Sequence, residues 1–142
     1  MATRNGSAEW RGDLKGGSGT LRVGDGVFEG AYSFSSRFED GEGTNPEELI
    51  GAAHAACFAM ALSLILGEDD HPPESIRAEA KVQLRIVDGL PTIARIDLEV
   101  EGAVPGIDEE AFRGYAEKAK DGCVVSRALA GVPEIELSAR LA

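Results

Sequence analysis

Residues 45–67 read Asn45-Pro46-Glu47-Glu48-Leu49-Ile50-Gly51-Ala52-Ala53-His54-Ala55-Ala56-Cys57-Phe58-Ala59-Met60-Ala61-Leu62-Ser63-Leu64-Ile65-Leu66-Gly67, and this stretch decides the fold. Asn45 can cap a helix, Pro46 suits its first position, and Glu48 is expected to close a capping box back to Asn45. Gly67 is expected to end it. Apolar residues fall on every side, so the helix is either buried in protein or crosses a membrane. Its length fits a span. Its flanks do not: Glu47-Glu48 and Glu68-Asp69-Asp70 are acidic, whereas membrane anchors favour basic cytoplasmic flanks. His54 and the many Ala residues argue the same way. The stretch reads as the central core helix of a soluble protein. A chain of 142 residues has little with which to cover such a helix all round, so a partner subunit is expected to supply part of the cover.

On the N-terminal side, residues 8–38 read as short strands broken at Lys15-Gly16-Gly17 and Gly24-Asp25-Gly26, and Gly41-Glu42-Gly43 as a flexible break. On the C-terminal side, beyond Pro72-Pro73, the period becomes two. Ile76, Ala78, Ala80, Val82, Leu84 and Ile86 alternate with polar residues, Asp88-Gly89 turns the chain, and Ala94, Ile96, Leu98 and Val100 continue the alternation. That is a long hairpin with one wet face. Asp108 opens an amphipathic helix through Lys120 that Gly122 ends. A short helix is expected near Ser126–Ala130, then a strand through Ile135, Leu137 and Ala139. No repeat or linker interrupts the chain. The expectation is a single α+β domain over residues 1–142.

Composition narrows the partners. Fourteen Lys+Arg against 25 Asp+Glu give a formal net charge of -11. Such a surface repels phosphate backbones and anionic lipid heads, which leaves small molecules or proteins rather than nucleic acid or membrane. Met1 to Trp10 contains no apolar h-region, so a cytoplasmic location is expected and the sequon-like Asn5-Gly6-Ser7 carries no meaning.

Two cysteines in a reducing compartment imply inert thiols or redox chemistry rather than a structural disulfide. By position alone Cys57 reads as a core-filling thiol. Cys123 follows a helix-ending Gly and precedes a short helix, a setting that can lower a thiol pKa, though packing explains it equally well. Their spacing excludes a CxxC motif, and two Cys with two distant His make a poor zinc site. A thiolate in an apolar helix would need a cation, and Arg37 just upstream is the candidate, with a surface-solvated Arg as the plainer reading. His54, three residues before Cys57, is a rival base; a satisfied core histidine is the commoner reading.

Arg37-Phe38-Glu39, the block from Gly43 to Phe58, and Lys118-Ala119-Lys120-Asp121-Gly122-Cys123-Val124-Val125-Ser126 together resemble the signature blocks of the OsmC/Ohr family. These are osmotically inducible protein C and the organic hydroperoxide resistance proteins. The first two blocks, with Ala103-Val104-Pro105-Gly106-Ile107-Asp108, sit closest to the OsmC branch. The resemblance implies an intertwined α+β homodimer, with two buried central helices packed between antiparallel sheets and active sites at the subunit interface. It implies a thiol peroxidase that reduces organic hydroperoxides to alcohols in oxidative-stress defence. Cys57 would be peroxidatic, Cys123 resolving, Arg37 the activating cation and Glu47 the carboxylate that orients it. The Cys57–Cys123 disulfide would be reopened by a dithiol of lipoyl type, with no metal or other cofactor. One departure stands out: Val124 follows the resolving Cys where the family usually has Pro. Loss of Pro is expected to loosen the approach of Cys123.

Ten helical residues separate Glu47 from Cys57, ~15 Å along the axis, too far for one Arg to touch both. Glu47 is therefore expected to serve the Cys57 site of the other subunit. The alternative to an enzyme is a thiol redox sensor or a hydroperoxide- or lipid-binding protein, which would oxidise once and stop. Dithiol–disulfide exchange on proteins is the rival enzymatic reading.

Overall fold

The computed structural model describes all 142 residues, which separate into two compact units, Met1–Leu49 and Ile50–Ala142. The first unit holds β1 (Gly6–Arg11), β2 (Ser18–Val23) and β3 (Phe28–Tyr32), an antiparallel sheet in that order. Helix α1 (Phe34–Phe38) follows where strand was expected. The reason is local: the Ser33 hydroxyl accepts the Ser36 N–H, and the Ser36 hydroxyl returns to the Ser33 N–H. This reciprocal box uses Ser where Glu or Gln is usual, so the sequence signal is weak. The Gly41–Gly43 segment is tied down rather than loose, since Gly41 N–H donates to Ser35 O at 3.1 Å and Thr44 N–H to Ala31 O at 2.9 Å.

Helix α2 (Pro46–Glu68) begins in the first unit and continues through the second. The Asn45 carboxamide oxygen accepts the Glu48 N–H at 2.8 Å, as expected of the cap. The other half of the expected box is absent. Glu48 instead accepts the Thr44 hydroxyl at 2.9 Å, so its carboxylate is engaged one residue before the cap.

In the second unit, β4 (Ser75–Val87) and β5 (Leu90–Ala103) form the expected hairpin around Asp88 and Gly89, both at positive φ. The register shifts at Gln83/Leu84, so Leu84 faces Ile93 while Gln83 faces Arg95, and Ala94 is the bulged residue. Ile96, Leu98 and Val100 keep their buried face, but Ile86 near the hairpin tip is 70% exposed rather than covered. After α3 (Glu109–Gly122) and α4 (Val124–Ala128), β6 (Glu134–Leu141) pairs with β5 in parallel. This sheet is thus mixed, not wholly antiparallel, because a helical crossover returns the chain in the same direction.

The core forms where α2 lies on this sheet beside α3. His54, Phe58, Leu62 and Leu66 make one fully buried stripe of α2, packed with Leu98, Val100, Phe112, Ala116 and Ala119. That spacing is a single helical face. The opposite face, Ala52, Ala53, Ala56, Met60, Ser63 and Leu64, is exposed, with Met60 at 76%.

Gly51 sets how closely α2 approaches β4, since a Cβ there would stand 2.9 Å from the Ala80 carbonyl oxygen. Gly51→Ala gains helix propensity of about 1 kcal/mol, yet must push helix and strand apart, an overpacking cost of about 1–3 kcal/mol. Urea denaturation is expected to show a net loss of stability for this variant.

Candidate active site

Cys123 occupies the joint between two helices, ending α3 and capping α4 with extended backbone at φ -64° and ψ 123°. Its N–H donates to Ala119 O at 2.8 Å and its carbonyl accepts the Arg127 N–H at 3.0 Å, so both helices fix its position. The side chain is fully buried. Half-buried Cys57 on α2 packs against the same cluster, close enough for its side chain to act on the Cys123 thiol. Both thiols are free.

Burial pushes the Cys123 thiol up in pKa. The Ser126 hydroxyl and N–H, the Cys57 side chain and the Val125 N–H oppose it, and together they hold the thiol below its ordinary value. The Ser126 N–H stands 3.4 Å from the sulfur. Donors aimed at a sulfur favour its thiolate, the nucleophilic form, over the thiol.

His54 does not form the dyad with Cys57 that its spacing suggested. Its Nε2 lies 2.6 Å from the Ser126 hydroxyl, and its Nδ1 has no partner. Desolvation lowers its pKa, so the ring is neutral at neutral pH. Sequence reasoning missed Ser126 altogether. The signal was there: Cys123-x-x-Ser126 has the spacing of a helix cap and its third residue.

A second cluster lies in the first unit. Asn45 Nδ2 donates to Ser36 O at 2.9 Å and the Ser36 hydroxyl to Thr44 O at 2.7 Å, tying α1 to the start of α2. The tie sets Arg37 against Glu47. Arg37 Nε lies 3.2 Å from both Glu47 oxygens and Nη2 2.8 Å from Oε1. Glu47 is only 8% exposed, so the guanidinium is the countercharge its burial requires. The same guanidinium lies 5.3 Å from the Phe38 ring centroid, so charge and stacking both restrain it.

The model of the OsmC-like protein family matches residues 39–138, which include both cysteines and Glu47. The chain belongs to the OsmC-like family. Within it, the chain is 54% identical to the peroxiredoxin OsmC of Escherichia coli over 127 residues, 89% of each sequence. It is 31% identical to the organic hydroperoxide resistance protein of Xanthomonas axonopodis pv. citri over 99 residues, 69% of this chain and 68% of the relative. The OsmC branch is therefore supported. The fold agrees with a crystal structure of an organic hydroperoxide resistance protein OsmC from Legionella pneumophila, at a TM-score of 0.79 and 22% identity over 99% of each chain. OhrB of Bacillus subtilis matches at a TM-score of 0.73 and 25% identity, over 97% of this chain and 98% of that one.

Against this OsmC-like background Val124 can be placed. It is the first residue of α4 and 69% exposed, and the joint is closed without Pro by the bonds at Ala119 and Arg127. Cys123 already has the extended backbone that a following Pro demands, and a first helical position tolerates Pro well. Val124→Pro is expected to raise stability by about 0.4–1 kcal/mol through the unfolded chain, readable as a higher urea midpoint. A loss of stability would mean that the joint depends on the Val124 N–H.

Proposed function

We propose that this protein is a cytoplasmic, cysteine-based peroxidase of oxidative-stress defence that reduces organic hydroperoxides, with residues 1–142 acting as one functional domain. The observation that carries this reading is the meeting of Cys57 and Cys123, brought from distant parts of the sequence to one apolar cluster, where the Cys57 side chain helps to lower the Cys123 pKa. The names of the relatives, a peroxiredoxin and an organic hydroperoxide resistance protein, support a peroxidase acting in peroxide defence.

The Cys57 thiolate attacks one oxygen of the hydroperoxide, the O–O bond breaks, and the alcohol departs with a proton. Cys57 is then a sulfenic acid. The Cys123 thiolate attacks its sulfur, hydroxide leaves, and a disulfide forms before a second peroxide can drive Cys57 to sulfinic acid. An external dithiol, of lipoyl type in our reading, reopens the disulfide by exchange. Protein groups alone carry these steps, so the proposal includes no metal or bound cofactor.

Arg37 supplies the cation that ionises Cys57, and Glu47 holds Arg37 in place. Since Arg37 is bound to Glu47 at the start of α2, Cys57 of the same helix lies ~15 Å farther along the axis. The Arg37–Glu47 pair therefore serves Cys57 of a second copy. The uncovered Ala52, Ala56, Met60 and Leu64 face of α2 is the surface that an antiparallel copy would cover, giving a homodimer with shared sites.

Cys57→Ser should abolish turnover of cumene hydroperoxide with a lipoyl dithiol. Cys123→Ser should oxidise once at normal speed and accumulate Cys57 sulfinic acid, seen by intact mass. Full turnover in both variants, or a single equivalent consumed by the wild type with every dithiol tried, would replace the enzyme by a sensor. Mixing Arg37→Ala with Cys57→Ser subunits tests the shared site. Random pairing makes half the dimers mixed, each with one intact site, so roughly a quarter of wild-type activity should return. No recovery would place Arg37 and Cys57 of one chain in one site.

A further inference from the structure

His54 and Ser126 are buried polar groups that the two thiols do not by themselves explain. His54 is fully buried and Ser126 is 8% exposed. Their contact, Nε2 to Oγ at 2.6 Å, is a full hydrogen bond. The orphan Nδ1 decides its direction. Were Nδ1 the protonated nitrogen, a buried N–H would go unsatisfied, which proteins avoid more strictly than a bare lone pair. Nε2 therefore carries the hydrogen and donates to Ser126 Oγ. The hydrogen of Ser126 is then free to turn to its other neighbour, the Cys123 sulfur, which the Ser126 N–H already approaches at 3.4 Å.

We infer that His54 and Ser126 form a donor relay, imidazole N–H to hydroxyl and hydroxyl to sulfur, that holds Cys123 as a thiolate for its attack on Cys57. The inference rests on the peroxidase reading and deepens its second step. His54 touches no reacting atom, so it is a positioning residue acting through Ser126. The surroundings explain the need. Of the titratable groups in this core, Cys57 and, through Ser126, His54 act on Cys123 from α2, while Tyr115 on α3 turns its hydroxyl to Asp69 at 2.8 Å. The rest of the cluster, Phe112, Ala116 and Ala119 of α3, Leu98 and Val100 of β5 and Ala139 of β6, is apolar. Without the relay, burial would act on Cys123 against fewer donors, and its attack on the Cys57 sulfenic acid would slow.

The step balances. Cys123 S–H loses its proton, and the thiolate forms a bond to the Cys57 sulfur with its own electron pair. The Cys57 S–O bond breaks, and hydroxide leaves with that pair and combines with the released proton as water. Cys123 is oxidised and the sulfenic sulfur reduced.

Ser126→Ala, His54→Leu and His54→Gln, each followed by rapid alkylation and intact mass after one equivalent of cumene hydroperoxide from about pH 5 to 9, test the relay. Sulfenic acid formation at Cys57 should be unchanged. Disulfide formation below its pH midpoint should slow roughly tenfold in Ser126→Ala and His54→Leu as the midpoint rises by about one unit. His54→Gln keeps an Nε2–H donor and should restore the rate. Wild-type rate and midpoint in Ser126→Ala and His54→Leu would overturn the relay. Should the variants not fold, nitrogen-15 NMR of the wild type decides: a neutral Nε2–H tautomer is expected for His54, and an Nδ1–H ring or imidazolium at neutral pH overturns it. Failure of the peroxidase reading shows separately, as wild-type Cys57 that never oxidises. The relay then still stands or falls on a Cys123 alkylation midpoint that rises, or stays, when Ser126→Ala is added to Cys57→Ser.

Discussion

The low dielectric beneath helix α2 governs the rest of the second unit. The buried stripe of this helix carries His54 among Phe58, Leu62 and Leu66, with Cys57 beside it, so a polar ring and a thiol are removed from water with the hydrocarbon. Any polar atom there must find a partner inside the protein or lose the energy of its hydration. The chain meets part of that demand with one short segment, Cys123 to Ser126, in which the Ser126 hydroxyl pairs with His54 Nε2 and the Ser126 N–H donates to the Cys123 sulfur. The same donors favour an ionised sulfur. One arrangement both satisfies polar groups in the core and, in the proposed cycle, prepares Cys123 for its attack.

The position of that segment follows from secondary structure rather than from a flexible loop. Cys123 belongs to the ends of two helices, and each contributes a backbone bond to it. A thiol on such a joint has little freedom to swing, which suits the resolving role proposed for it. Arg37 and Glu47 are fixed in a comparable way, through Asn45, Ser36 and Thr44, which lock a five-residue helix onto the first turn of α2. In both clusters a capping interaction does double duty: it ends or begins a helix and aims a reactive or charged group.

The circumference of α2 raises a different constraint. The chain buries one stripe and leaves small and flexible apolar residues, from Ala52 to Leu64, on the other side. An all-round apolar helix is stable in water when another surface covers what its own chain does not. Small side chains such as Ala52, Ala53 and Ala56 would let a second helix approach closely. The net charge of -11 repels the phosphate backbone of nucleic acid.

Much of this was legible in residue order. The cap at Asn45, the long apolar helix, the Asp88-Gly89 hairpin and the amphipathic helix after Asp108 are local signals, set by spacing and by the backbone preferences of a few residues. The candidate residues Arg37, Glu47, Cys57 and Cys123 could be named because their blocks resemble a family. The same resemblance also implied that Arg37 would meet Glu47 and Cys57 would meet Cys123, which spacing alone did not show. That β6 would join β5 in parallel, that Ala94 would bulge, that Glu48 would turn to Thr44, and that His54 would bind Ser126 instead of Cys57 are outcomes of packing. The reason is physical. Helices and turns are decided by energies between near neighbours, which a sequence displays directly. Contacts between distant residues are decided by which burial leaves the fewest polar atoms unpaired, and that exists only once the chain has folded.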